Sequence, residues 1–198
     1  MITEYNALAS TPLKICASFV RPSQSLRQHI KLNDSALDAM TDLTKVSVVS
    51  VRAVTPMNKA NAKMIKYGVR LLLVLDDEEQ VAGIITASDI LGEKPMRFLQ
   101  QMGGTHADIL VSDIMTPQSE LEVLDIEEVK KAKIGAIVAT LKKAHRQHGL
   151  VAATMPDGCQ RVCGIFSATQ IGRQLGAQAQ SFELAHTFAE IEAAIAQG

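Results

Sequence analysis

The chain has no tryptophan, and aromatic residues make up only 4% of its 198 residues. Proteins that bind single-stranded nucleic acid stack its bases on aromatic side chains, so this composition argues against that role. The formal net charge is only −1, and no strong overall field attracts DNA or an anionic membrane. The composition therefore favours a globular protein of another class.

Cysteine is also scarce, with Cys16, Cys159 and Cys163. The start MITEYNALAS lacks the positive segment and apolar run of a signal peptide, and no apolar run approaches the roughly 18 residues of a membrane span. An odd number of cysteines without a secretory signal is typical of reduced thiols. We therefore expect a cytoplasmic protein.

Catalytic and metal-binding motifs are missing as well. The sequence contains no GxSxG, no HExxH and no clear Cys-His nucleophile pair. GGTH at residues 103–106 lacks the Lys-(Ser/Thr) of a phosphate-binding loop and is interpreted as a linker. Cys159 and Cys163 have no nearby ligands to complete a zinc site. The sequence predicts no enzyme, no metal and no required cofactor.

What the sequence does contain is an internal repeat. GIITASDI at residues 83–90 recurs as GIFSATQI at 164–171, and a gapless overlay carries Gly68 onto Gly149. Upstream, DAMT at 38–41 recurs as DIMT at 113–116. The first matches are 81 residues apart and the second 75, so the second copy is six residues longer. We place this extra length in QSELEVLDIEEVKKAK.

Each copy predicts the same elements in the same order. A β-rich run (VSVVSV, or roughly VKKAKI) precedes a helix, whose apolar face is Met57, Ala60, Met64 and Tyr67, or Ile137, Leu141, Ala144 and His148. Gly68 or Gly149 ends this helix. A hairpin follows (LLLVL with VAGII, or LVAATM with VCGIF), and a second helix begins at Thr86 or Ser167. The prediction is a mixed α/β (α+β) fold with two β-α-β-β-α repeats.

This pattern resembles the cystathionine-beta-synthase (CBS) domain, which occurs as a tandem pair. DAMT and DIMT, the glycine after the first helix and the Gly-apolar-apolar-(Thr/Ser)-x-x-(Asp/Asn) ending carry the resemblance. DILGEKP is further similar to small bacterial stand-alone CBS proteins. The resemblance implies a pseudo-twofold Bateman module whose clefts hold AMP, ADP, ATP or S-adenosylmethionine, and which pairs into a disc-like homodimer.

We assign residues 35–95 to the first repeat and 113–176 to the second, with a linker at 96–112. Residues 1–34 form an N-terminal extension, in which 13–20 are a strand or an arm. Residues 177–198 are predicted to be a helix with one apolar stripe of Leu184, Phe188, Ile191 and Ile195. This stripe either packs on its own domain or contacts a dimer mate or partner.

The Thr-x-x-Asp ending supplies ligand chemistry in the first repeat. Thr86 and Asp89 are close at a strand-to-helix junction, where a hydroxyl suits phosphate oxygens and a carboxylate accepts hydrogen bonds from ribose hydroxyls. Val49, Val51 and Ile85 are candidates to enclose a base. Arg70 either reaches a phosphate or points to solvent. The alternative is that Thr86 and Asp89 are only a helix cap and its first-turn acid.

The second repeat offers a weaker version of this site, formed by Ser167, Gln170 and Phe166. Gln170 is neutral, and losing one charge-assisted hydrogen bond costs on the order of 1–2 kcal/mol. His145 and His148 lie on the predicted helix of the second copy among basic residues, where they form an anion patch or a solvated helix face.

Two hypotheses follow from different classes of protein. The first is a regulatory module that senses an adenine nucleotide or related adenosyl ligand and signals to a partner protein by changing conformation. The second is a ligand-free homodimeric scaffold with the same fold. An open cleft at Thr86 and Asp89 favours the first, and a sealed one the second.

Overall fold

The structure, a computed structural model, describes residues 26–176. Its strands are β1 (Thr41–Asp42), β2 (Ser50–Arg52), β3 (Leu71–Leu75), β4 (Val81–Thr86), β5 (Thr116–Pro117), β6 (Val123–Asp125), β7 (His148–Thr154) and β8 (Gln160–Ser167). Its α-helices are α1 (Met57–Tyr67), α2 (Ala87–Leu91), α3 (Lys94–Met102), α4 (Val111–Ile114), α5 (Ile126–Lys131), α6 (Ile134–Lys143) and α7 (Ala168–Leu175). Short 3-10 helices cover Ala36–Ala39 and Gln118–Glu120.

Two four-stranded sheets carry the two repeats. One has the order β2-β3-β4-β5 and the other β1-β8-β7-β6. In each, a short strand runs parallel to the first strand of an antiparallel hairpin, and a helix lies between them in the chain. The predicted mixed α/β fold with two β-α-β-β-α units is therefore confirmed.

The two DxMT segments exchange places between the sheets. Thr41 of the first segment pairs with Ile165 on β8, and Thr116 of the second pairs with Ile84 on β4. Each segment thus adds an edge strand to the sheet of the other repeat. This exchange ties the two repeats together through backbone hydrogen bonds.

The exchange explains the glycine in both hairpins. A Cβ on Gly83 would lie 2.5 Å from the carbonyl oxygen of Thr116 and 3.3 Å from the sulfur of Met115. A Cβ on Gly164 would overlap the sulfur of Met40. The methionine of each DxMT segment therefore crosses over the glycine of the other repeat, which is why both residue types recur.

Each repeat has its own core between its sheet and its helices. Leu72, Val74 and Ile85 lie in the first core, and Val151 and Phe166 in the second. Since side chains alternate along a strand, the intervening residues face the other sheet. They form a third apolar cluster, the seam between the repeats, around Leu71, Leu73 and Leu150. Strands buried on both faces account for unbroken apolar runs such as LLLVL.

The predicted β-rich run VKKAKI is wrong, because its first three residues end helix α5 and its last residue, Ile134, begins α6. Asp125 accepts a hydrogen bond from the Glu127 N–H at 2.8 Å and so caps α5. Lys130 pairs with Glu127 one turn away, and Val129 is buried. The strand that precedes α6 is instead β6, which lies before α5.

The helix of the second repeat is shorter than predicted. It ends at Lys143, and His145 takes the left-handed conformation (φ 51°) that Gly68 (φ 65°) takes after α1. His148 and Gly149 belong to β7, so neither lies on a helix and Gly149 is not a cap. A Cβ on Gly149 would approach Leu141 to 3.1 Å, so close packing is the use of this glycine.

The second hairpin is also longer than the first. Strands β7 and β8 have seven and eight residues where β3 and β4 have five and six, which places four extra residues in the hairpin. Gly149 pairs with Phe166 in the second hairpin, and Leu72 pairs with Ile85 at the same position of the first. Gly149 therefore corresponds to Leu72 and not to Gly68, so the gapless overlay fails before the turn. The extra length is therefore not confined to QSELEVLDIEEVKKAK.

Part of the predicted linker is helical, because α3 runs from Lys94 to Met102 and Pro95 at its start is buried. GGTH follows α3, with positive φ at Gly103 and Gly104. The predictions for residues 1–25 and 177–198 lie outside the described residues, including Cys16 and the apolar stripe of Leu184, Phe188, Ile191 and Ile195.

Candidate functional site

The two hairpins end side by side at what we call the motif edge, defined by Arg70, Thr86, His148 and Ser167. Leu71, which follows Arg70, pairs with Thr86, and His148 pairs with Ser167. The Ala87 N–H donates to the Arg70 carbonyl at 2.9 Å. Both strand-to-helix junctions that the sequence singled out therefore lie at the same edge of the molecule.

Asp89 is bound to its own helix cap. Its Oδ2 accepts hydrogen bonds from the N–H of Thr86 at 2.8 Å and from the Thr86 hydroxyl at 2.7 Å. The Asp89 N–H donates to Thr86 Oγ1 at 3.3 Å, which completes a reciprocal capping box. The helix-cap interpretation of these two residues therefore describes their contacts in the structure.

The second carboxylate oxygen of Asp89 binds Lys94, which the sequence analysis missed. The Lys94 ammonium lies 2.7 Å from Asp89 Oδ1 and donates to the Ile114 carbonyl at 3.0 Å. Only 12% of the Asp89 side chain is exposed. Helical spacing does not predict this pair, because the backbone of Gly92 is extended and interrupts the helix between them.

The corresponding junction of the second repeat is simpler. Ser167 caps α7 and accepts a hydrogen bond from the Gln170 N–H at 3.4 Å. In the first repeat the Asp89 carboxylate also accepts a hydrogen bond from the backbone N–H of the cap residue, Thr86. In the second repeat the described contacts of the cap include no such bond between the Ser167 N–H and the Gln170 side chain. The two junctions therefore differ in their caps, with a full capping box at Thr86 and half of one at Ser167.

His148 of the second repeat is close enough to Arg70 and Asp89 of the first repeat for their charges to affect its pKa. Burial lowers the pKa of His148 below its ordinary 6.5, and the positive charge of Arg70 lowers it further, while Asp89 opposes both. Its buried Nδ1 has no hydrogen-bond partner among the described residues. Because the sequence analysis assigned His148 to a helix, it missed this position at the motif edge.

The predicted apolar residues are only partly available to a ligand. Ile85 and Phe166 have no exposed surface and pack in the first and second cores. They face the helices because strand residues alternate, and their role as ligand contacts stays a prediction. Val51 is 8% exposed, and the partly buried Val49 packs against the first core.

A large groove lies away from the motif edge. It encloses about 1440 Å³ between the two sheets and is lined by both hairpin turns and the segment 43–48. Leu73 and Leu150 of the seam form part of its floor. Neither Thr86 nor Asp89 lines it, so the sequence-predicted site and this groove are different places.

The cysteines in the described range lie in or beside the second hairpin. Cys159 is exposed, and the Cys163 thiol donates to the Val151 carbonyl at 3.6 Å. Burial raises the pKa of the Cys163 thiol, which suits a small packed residue. Across residues 26–176, no three His, Cys, Asp or Glu side chains are grouped to hold a metal ion.

None of the helices within residues 26–176 is long and apolar enough to cross a membrane.

Comparisons with known proteins agree with this architecture. Residues 35–95 match the family model of the CBS domain. A search of curated protein sequences finds no match. An uncharacterized conserved protein from Pyrococcus horikoshii is structurally similar with 22% identity and a TM-score of 0.51, over 72% of this chain and 92% of that one.

The CBS domain pair of protein MJ0100, solved with 5′-methylthioadenosine and S-adenosyl-L-methionine, is also similar. Its identity is 19% and its TM-score 0.50, over 73% of this chain and 98% of that one. At this identity the similarity establishes the fold. The described residues therefore have the fold of a CBS-domain pair, and residues 35–95 are the part that matches the family model.

Proposed function

We propose that the chain is a regulatory module that binds an adenosyl compound at the motif edge of its first repeat. The fold supports this proposal, since the MJ0100 pair of the same fold was solved with two adenosyl compounds. The proposed contacts are Thr86, Asp89, Arg70, Val49 and Val51. Ser167 and Gln170 form a weaker second site.

The residues of the first repeat suit the parts of such a ligand. A carboxylate like Asp89 accepts hydrogen bonds from the two hydroxyls of a ribose, each worth about 1.5–3 kcal/mol when one partner is charged. Arg70 is exposed at the same edge and suits a phosphate or a carboxylate. In the second repeat Gln170 lacks the charge, which is why the weaker site is placed there.

The observation that carries the proposal is the double role of Lys94. Its ammonium joins Asp89 of the first repeat to the carbonyl of Ile114, which lies within the exchanged DxMT segment of the second repeat. A ribose that bonds to Asp89 competes with Lys94 for the carboxylate. Binding would therefore loosen α3 from Ile114 and change how the two repeats are connected.

Such a change needs a ligand with different affinity for the two arrangements. A compound that bonds Asp89 binds better when Lys94 has moved away, so it favours the released state of α3. The changed surface of α3 is then what a partner protein would detect. In this proposal the module regulates another protein and has no catalytic role.

A ligand-free scaffold is the second candidate, and one observation favours it. Both carboxylate oxygens of Asp89 already have partners, and the side chain is nearly buried. A carboxylate satisfied in this way stabilises its helix without any ligand. Exposed apolar side chains at Ile65, Tyr67 and Leu91 suit the homodimer that both candidates include.

Thermal unfolding with AMP, ADP, ATP, 5′-methylthioadenosine and S-adenosylmethionine tests the two candidates. A ligand at 100 times its dissociation constant stabilises the fold by about 2.7 kcal/mol, which raises the unfolding midpoint by several degrees. We expect a shift with at least one compound, and we expect Asp89→Asn to remove it. Failure of all five compounds to raise the midpoint would favour the scaffold.

Asp108→Asn is the matched control. Thr105 and Asp108 repeat the Thr-x-x-Asp pattern, with the Thr105 N–H and hydroxyl bonded to Asp108 Oδ2 at 2.9 and 2.8 Å. Asp108 is exposed and does not form the motif edge. A ligand shift that survives in Asp108→Asn and disappears in Asp89→Asn belongs to the site and not to the Thr-x-x-Asp hydrogen bonds in general.

A further inference from the structure

A second, smaller cavity lies at the opposite end of the first sheet from the motif edge. It has a volume of about 340 Å³ and is lined by Ser50, Val51, Arg52, Thr55, Lys59, Lys63, Leu75 and Glu79. Arg52 pairs with Leu75, whereas Thr86 pairs with Leu71 on the same strand. At about 3.3 Å per residue, the cavity is roughly 13 Å along β3 from the motif edge.

The charges around this cavity are strongly unbalanced. Arg52, Lys59 and Lys63 supply three positive charges, and Glu79 supplies the one negative charge. Arg52 and Lys63 are half-buried, so their charges are less screened than those of fully exposed side chains. Like charges gathered in one cavity repel one another, and an anion between them relieves this repulsion.

The hydrogen bonding of Arg52 is incomplete. One end of its guanidinium, Nη2, pairs with the Glu79 carboxylate across the cavity. The other end, Nη1, is buried and has no hydrogen-bond partner among the described residues. A buried unpaired donor is unfavourable, and a guanidinium presents its two ends as a fork that matches a phosphate. Arg52 lines the cavity, so a rotation of its guanidinium would offer Nη1 to an oxyanion bound there.

Neighbouring groups add to the same preference. Thr55 contributes a hydroxyl to the lining, and Lys63 is held in place by a 2.6 Å hydrogen bond from its ammonium to the Ser50 carbonyl. Helix α1 begins beside the cavity without a side-chain cap and without an acidic residue in its first turn. The positive end of this 11-residue helix is thus not neutralised by its own side chains.

The second repeat lacks this arrangement. Arg52 pairs with Leu75, the residue directly after the bulge in β3. Asp125 pairs with Ala152, the residue directly after the corresponding bulge in β7, so Asp125 occupies the place of Arg52. Asp125 caps α5, whose first turn contains Glu127 and Glu128. The basic cavity is a property of the first repeat and is not required by the shared fold.

We propose that the cavity of Arg52, Lys59 and Lys63 is a binding site for a phosphate group. Its basic side chains lie apart from Thr86 and Asp89 of the proposed adenosyl site, and Val51 is the residue that the two sites share. The ligand is a phosphate dianion, either free or carried by a phosphorylated small molecule. Arg52 donates to it through Nη1, Lys59 and Lys63 balance its charge, and Thr55 donates through its hydroxyl.

Titration of the full chain with inorganic phosphate tests the site, with amide NMR shifts as the readout and chloride at equal ionic strength as the reference. We expect the shifts to concentrate on residues 50–63. Arg52→Met and Lys59→Met remove a charge and keep an apolar stem, so each should weaken phosphate binding roughly tenfold. Lys66→Met removes the same charge from the same helix outside the cavity and should change affinity less than about twofold.

Glu79→Gln tests the opposite sign. It removes the carboxylate that competes for Arg52, so phosphate should bind several times more tightly. This variant keeps the proposal testable if Arg52→Met fails to fold. Shifts spread over the whole surface, equal weakening by Lys66→Met, or no gain in Glu79→Gln would overturn the proposal.

Two further titrations identify the source of the phosphate. If AMP shifts residues 50–63 and adenosine does not, nucleotides are accepted; if only inorganic phosphate shifts them, the site takes the free anion. Asp89→Asn should leave phosphate affinity unchanged, because Asp89 does not line the cavity. Adenosyl binding in Asp89→Asn tests the proposed function, and phosphate binding in the same variant tests this proposal. Either one can therefore fail without the other.

Discussion

The two repeats share their strand order but differ at both ends of their sheets. At the motif edge the first repeat has a complete capping box between Thr86 and Asp89, and the second has only the Ser167 half. At the other end Arg52 faces a basic cavity, and its counterpart Asp125 caps an added helix. Duplication of the fold has therefore not duplicated the polar groups that a ligand would meet.

This comparison separates what the fold needs from what a site needs. The features present in both repeats are Gly83 and Gly164, with Met115 and Met40 crossing over them, and these serve the strand exchange. The features present in one repeat are charged side chains at the sheet ends. The two proposed ligand sites therefore depend on residues that differ between the repeats, while the shared pattern serves the fold.

The largest predicted effect concerns the two crossing points. Gly83→Ala places a Cβ 2.5 Å from the Thr116 carbonyl, which is backbone and cannot turn aside. Gly164→Ala meets only the side chain of Met40, which can change rotamer. We expect urea unfolding to show a loss of about 3 kcal/mol or more for Gly83→Ala and about 1–2 kcal/mol for Gly164→Ala.

Met40→Leu in the Gly164→Ala background is the control for this pair. A branched side chain without the long thioether reaches less far over residue 164, so part of the lost stability should return. Equal losses for the two glycine variants would show that the crossing points are equivalent, against the geometry.

A smaller effect is expected from Asp89→Asn in the absence of ligand. The amide keeps the shape of the side chain, but it weakens the cap of α2 and removes the ion pair with Lys94. We expect the free energy of unfolding to fall by about 1–2 kcal/mol. Lys94→Met should give part of this loss, and no loss in either variant would mean that the Lys94 contact is not formed in solution.

Gln170→Asp would make the second repeat resemble the first. A carboxylate at residue 170 can accept from the Ser167 N–H and complete the capping box of α7. We expect a gain of about 0.5–1 kcal/mol in urea unfolding. Gln170→Glu is the control, since its longer side chain carries the same charge; an equal gain there would point to charge near the helix start and not to the box.

Residues close in sequence were predicted well, because turn and cap chemistry acts over a few positions. Gly68 caps α1 with positive φ, and Thr86 caps α2, both as their residue types indicate. The order of the repeats also followed from the recurring DxMT and Gly-x-x-(Thr/Ser) segments. These patterns were enough for the fold because the two copies support each other.

What the sequence did not reveal depends on register and on contacts between repeats. The gapless overlay of Gly68 on Gly149 hid a longer hairpin, and this misplaced His148 on a helix. Lys94 reaches Asp89 only because the chain turns at Gly92. The Arg52 cavity forms where β2, α1 and a hairpin turn meet, and no short motif describes such a meeting.

The smallest expected effect is the contribution of His148 to stability as the pH changes. Burial and Arg70 hold the pKa of His148 below 6.5 in the folded protein, so the folded state favours the neutral imidazole. Its contribution is present above about pH 6.5 and is lost as the pH falls through that value towards the folded pKa. Asp89 opposes the shift, which keeps the effect small.

Urea unfolding of the wild type and His148→Gln from about pH 5 to about pH 8 measures this contribution. The stability difference between them should move in favour of His148→Gln as the pH falls. Arg70→Gln removes the positive charge of the first repeat and should reduce this pH dependence, whereas Asp89→Asn should increase it. If Arg70→Gln reduces the pH dependence that His148 causes and Asp89→Asn increases it, the charges of the first repeat act on a histidine of the second. The two repeats are then electrostatically coupled at the motif edge. An unchanged profile in both variants would mean that the repeats behave as separate units there, since burial alone would then set the pKa of His148.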